Sequence, residues 1–64
     1  MEQIITVESR LLSEDDVWMG ERVVSVANST RPGLIDVTLF DLATQKTRTE
    51  TFPRTRLMQV TRNR

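Results

Sequence analysis

A chain of 64 residues has room for one small domain, 1–64, and excludes a second. It contains no cysteine and no histidine, which removes disulfides, thiolate or imidazole metal sites and histidine-dependent acid–base chemistry from consideration. Nine basic and nine acidic side chains cancel to a formal charge of zero, but six of the acids precede Gly33 and six of the bases follow it. With no covalent staple, so small a core must rely on packing, which favours a closed barrel or self-association. No apolar run approaches the length that spans a bilayer, and Met1-Glu2 does not open a secretory leader. The expectation is a cytoplasmic protein with no membrane partner.

The first element is "QIITV" (Gln3 to Val7), whose β-branched residues predict a strand. In "LLSEDDVWMG", Ser13 followed by Asp16 has the spacing of a capping box, with Leu12 and Val17 as a hydrophobic staple. Glu14, Asp15 and Asp16 would then favour the positive end of a helix, and Gly20 would close it in the left-handed conformation. This predicts at most one short helix near residues 14–19; the competing expectation is an irregular acidic loop, because so short a helix has little stability of its own.

"ERVVSVANS" reads as the second strand, with Val24 and Val26 opposite in phase to Val23 and Ser25. A turn follows at "STRPGL", where Pro32 sets φ and Gly33 accepts positive φ. "LIDVTLFDL" alternates cleanly: Ile35, Val37 and Leu39 share one face, while Asp36, Thr38 and Phe40 share the other. Leu34, Phe40 and Leu42 add apolar surface to that second face, which suits a central strand. After the turn "ATQK", the strand "TRTETF" places three threonines on one face and Arg48, Glu50 and Phe52 on the other. Pro53 ends it, and "RLMQVTR" forms a short last strand next to an edge. Five closely spaced strands predict an all-β fold, a small closed barrel.

"MGERVVSVANST" resembles the part of SH3 domains where a glycine and an acidic residue open a strand that runs into a polar loop. "LFDLATQKTRTETFPRTRLMQV" is similar to their next hairpin, followed by proline, a single 3₁₀ turn and a terminal valine strand. The resemblance covers Asp16 to Thr61 and is to the SH3-like architecture that Tudor and KOW domains share. It implies a five-stranded SH3-like barrel, with Gly20 and Glu21 opening a strand, Asn28 to Gly33 as the long loop, Pro53 starting the 3₁₀ turn and Val60 in the final core position.

The departures from that pattern narrow the function. SH3 domains hold polyproline in an aromatic groove, yet this chain has no tyrosine, Asp36 and Val37 lie near the place of the groove tryptophan, and "PRTR" replaces the aromatic turn. Trp18, Phe40 and Phe52 are too scattered for the aromatic cage that binds methylated lysine or arginine. No serine has a histidine to activate it, Lys46 sits in a hairpin turn, and the two glycines stand apart from any phosphate cradle. Glu14, Asp15 and Asp16 lack the ligand spacing of a calcium loop, and capping accounts for them. The expectation is no enzyme, no cofactor and no metal.

Two candidate binding surfaces remain. Lys46, Arg48, Arg54, Arg56, Arg62 and Arg64 form a basic C-terminal stretch whose guanidinium forks match phosphates or carboxylates, although charged edge strands also serve to prevent aggregation. Trp18, Met19 and Phe40, with Leu42, either cap the barrel or form an apolar patch of the residue types enriched at protein contacts. The sequence therefore predicts a non-catalytic protein-interaction or regulatory module, with a partner protein or a second copy as ligand. The alternative is an RNA- or DNA-binding barrel of the kind used in transcription or translation, although zero net charge and few stacking aromatics weigh against it.

Overall fold

In the computed structural model, which describes residues 1–63, the chain is all-β. The strands are β1 (Glu2–Glu8), β2 (Val17–Trp18), β3 (Glu21–Asn28), β4 (Leu34–Asp41), β5 (Thr47–Pro53) and β6 (Leu57–Asn63), with one 3₁₀ turn at Ser9–Leu11. They form a single antiparallel sheet in the order β1-β6-β2-β3-β4-β5. Six strands are present where five were expected, and the sheet is not closed into a barrel, because β1 and β5 stand at its two edges without pairing. No helix among the described residues is long and apolar enough to cross a membrane.

The 3₁₀ turn draws the two ends of the sheet together in place of closure. The Ser9 amide donates to the Arg56 carbonyl at 2.8 Å and the Arg10 amide to the Arg54 carbonyl at 3.1 Å. The Ser9 hydroxyl, fully buried, donates to the Pro53 carbonyl. A buried hydroxyl needs such a partner, and this one ties the end of β1 to the end of β5.

The alternation of β4 translates directly into packing. Ile35, Val37 and Leu39 are almost completely buried, together with Val23, Phe52, Met58, Val60 and Leu12. β3 departs from the strict alternation expected of it. A bulge between Val23 and Ser25 resets its phase, so Val23 and Val26 face the core while Val24 is exposed. β6 lies next to an edge as expected, between the edge strand β1 and β2, but it is not short: it pairs along seven residues with β1 and also with β2.

The helix expected near residues 14–19 does not form. The capping contact itself exists: the Ser13 amide donates to Asp16 Oδ2 at 2.9 Å, and the Asp16 amide to the Ser13 carbonyl at 3.1 Å. It closes one turn only, because Asp15 has φ of 72° and the backbone then pairs with β3, through Asp15 N–H to the Val23 carbonyl and Val23 N–H to the Asp16 carbonyl. Sheet pairing supplies more hydrogen bonds than one or two isolated helical turns, so tertiary context overrides the local signal. Val17–Trp18 becomes β2, and Met19 and Gly20, with φ of 50° and 78°, form the two-residue turn into β3. Gly20 is left-handed as expected, but in a hairpin of the primed type rather than at a helix end.

Candidate binding site at the arginine-rich end

Among the described residues, the basic stretch divides into arginines that serve the fold and arginines that make no ion pair. Arg62 donates from Nε to Asp16 Oδ1 and from Nη2 to Asp16 Oδ2, both at 2.8 Å, and Asp16 is buried. Arg48 donates to both carboxylate oxygens of Glu21, at 2.9 and 2.6 Å, and to Glu50 at 2.5 Å. Each guanidinium is held more firmly in its charged form by these hydrogen bonds, Arg48 chiefly by Glu21 and Arg62 by Asp16. The acidic first half of the chain thus neutralises part of the basic second half inside the molecule.

Arg54 and Arg56 lie in the β5–β6 turn, which the Arg56 amide closes onto the Pro53 carbonyl at 3.1 Å. Neither makes an ion pair among the described residues. The Arg56 guanidinium stacks over the rings of Phe52 (5.3 Å) and Trp18 (5.9 Å), which themselves meet edge to face at 5.5 Å. Such stacking orients the cation while leaving its outer edge available. Arg54 is fixed through its backbone, which donates to the Gly33 carbonyl and accepts from the Arg10 amide.

Those two backbone bonds bring the 3₁₀ turn and the β3–β4 turn against the β5–β6 turn. A cleft of about 380 Å³ opens there, lined by Arg10, Val26, Ala27, Asn28, Ile35 and Arg54. Its exposed lining is mostly polar, and the lining side chains include two guanidinium groups and an amide, donors that suit a carboxylate or phosphate. Arg10 is partly neutralised by Glu8 at 2.7 Å. Arg10 is a member of this site that the sequence reading missed, since it lies 44 positions before Arg54 and only the 3₁₀ turn unites them.

The remaining expected residues fall elsewhere. Lys46 is exposed in the turn between β4 and β5, and Arg64 lies outside the described residues. Trp18, Met19 and Phe40 do not form one patch. Trp18 pairs with Glu21, and Glu21 with Asp41, whereas Phe40 pairs with Arg22, so Trp18 and Phe40 point to opposite faces of the sheet. Phe40 is covered by Arg22, whose guanidinium sits 5.4 Å above the ring. Met19 is 81% exposed and stands beside the half-exposed Leu42, whose amide donates to the Gly20 carbonyl at 3.2 Å. This Met19–Leu42 tip is the apolar surface that those residues do supply.

No protein-family model, no curated protein and no solved structure matches this chain.

Proposed function

We propose that this protein is a non-catalytic interaction module on an SH3-like scaffold, whose arginine-rich end receives an acidic segment of a partner protein. The observation that carries the reading is the meeting of Arg10 and Arg54 at one cleft, with Arg56 two residues on in the same turn and with Arg54 and Arg56 free of ion pairs among the described residues. The SH3-like part of the reading is supported by the run of hairpins β2–β3–β4–β5; the 3₁₀ turn is at Ser9–Leu11 instead of after Pro53, which ends β5 and opens a plain turn into β6. Two features favour a protein ligand over nucleic acid. The chain's net charge is zero, and its one tryptophan is spent under Arg56 and against Phe52 rather than offered for base stacking.

The test is an amide NMR titration of the labelled protein with a glutamate-rich peptide, and separately with mixed-sequence RNA and DNA, at low and physiological salt. Shifts at Arg10, Asn28, Arg54 and Arg56 on adding the peptide, lost in an Arg54→Ala/Arg56→Ala variant, are the expected result. A response to RNA or DNA alone, steeply reversed by salt, would turn the same cleft into a phosphate site. Silence at these positions with all three probes would remove the arginine end as a binding site.

A further inference from the structure

The sheet ends on two unpaired edges, β1 and β5, and an unpaired edge is a template for another strand. The two differ sharply in what they would do with a second copy of themselves. An antiparallel pairing of β1 about Ile5 sets Glu2 against Glu8 at both ends of the contact, like charge against like. The same operation on β5 about Thr49 sets Arg48 against Glu50 and Glu50 against Arg48, with Thr47 opposite Thr51 and Thr49 opposite its own copy. Neighbouring registers lose this match: centring on Arg48 opposes two arginines, and centring on Glu50 opposes two glutamates.

The faces agree as well as the charges. Arg48 and Glu50 pair with Leu39 and Val37 of β4, so they lie on the core side of β5, where their exposed outer rims are available to a neighbour. Thr47, Thr49 and Thr51 occupy the other side, and the latter two are already engaged with Thr38 and Asp36. A two-fold axis normal to the sheet keeps each face on its own side, so ion pairs meet ion pairs and threonines meet threonines. Pro53, with no amide hydrogen, limits the contact to the segment between the turn and the strand's end.

We propose that β5 is a homodimer interface in which two copies join antiparallel about Thr49 into one continuous sheet, held in register by reciprocal Arg48–Glu50 pairs. This goes beyond the acidic-partner reading and uses a different surface, so either can fail alone.

The test uses the full chain and sedimentation equilibrium up to about 1 mM, a range that covers weak association. Thr49→Lys and Thr49→Glu place like charges on the axis while leaving the Arg48–Glu21 pair intact. Each should be monomeric where the wild type dimerises, and an equimolar mixture of the two should dimerise again. Backbone amide spectra of each variant confirm that the fold survives. The Arg54→Ala/Arg56→Ala variant should dimerise like the wild type. A monomeric wild type throughout the range, or a dimer indifferent to Thr49→Lys, or no rescue in the mixture of folded variants, would overturn the proposal.

Discussion

Arg62 grips Asp16 through both carboxylate oxygens, and the pair joins β6 to the turn before β2 across 46 positions of sequence. Asp16 is 1% exposed, and that fork and the Ser13 amide both compensate its carboxylate. Arg62→Met should cost about 3–5 kcal/mol, a large share of the stability of a domain this small, because a buried carboxylate loses its bidentate cation. Arg62→Lys should lose less, since it keeps the charge but offers one point donor in place of a planar fork. Urea denaturation of the three proteins checks the ranking.

Met19 occupies the first central position of a two-residue hairpin turn with φ of 50°, where asparagine is better suited. Met19→Asn should therefore raise stability by roughly 0.5–1 kcal/mol, and Gly20→Ala should lower it by about 1 kcal/mol because φ there is 78°. Thermal melts of both variants read the two signs. If Met19→Asn also weakens capture of a partner that the wild type retains, the exposed methionine is a contact kept at some expense to folding.

Trp18 combines an edge-to-face contact with Phe52 and a guanidinium above its ring. Truncation to alanine should cost about 2 kcal/mol, between a surface and a core value, because the indole is only half-buried. Arg56→Ala should cost about 0.5 kcal/mol, the size of an exposed cation–π contact. Chemical denaturation followed by circular dichroism distinguishes them without relying on the tryptophan signal.

The β4–β5 turn is pinned by Asp41, which accepts from the amides of Ala43 (2.8 Å) and Thr44 (3.1 Å). Those two hydrogen bonds, that of Thr44 foremost, hold its carboxyl below the ordinary aspartate range. A lowered folded-state value means that the stabilisation is fully present above the unfolded value near pH 3.9 and is lost as the pH falls through the folded one. A carboxyl-carbon NMR titration should show Asp41 titrating below a random-coil aspartate, with the amide shifts of Ala43 and Thr44 following the same curve. An ordinary midpoint would remove the cap.

What was legible in the sequence followed from period two. The strand from Leu34 to Asp41 declares its faces outright, and Ile35, Val37 and Leu39 are buried as that alternation requires. The segment from Ser13 to Gly20 was misread because its local signal is genuine: the Ser13–Asp16 contact forms, but Arg62 and the backbone of β3 claim the same residues. The basic stretch was misleading for a related reason. Spacing alone cannot distinguish Arg48 and Arg62, which answer distant carboxylates, from Arg54 and Arg56, which answer none among the described residues. Nor does any local pattern announce that Arg10 joins Arg54, since a 3₁₀ turn and two backbone hydrogen bonds make that junction.

The pairing of β1 with β6, from Glu2 opposite Asn63 to Glu8 opposite Leu57, bears on the timing of folding. Before residues 57–63 leave the ribosome, β1 has no strand to join, and the core lacks Met58 and Val60. The hairpins of β3, β4 and β5 can form from near neighbours, whereas pairing β1 with β6 must first close a much longer loop, which is entropically costlier and slower. Until then the core side of those hairpins lacks Met58 and Val60, so apolar surface stays open to aggregation for as long as the β1–β6 pairing is missing.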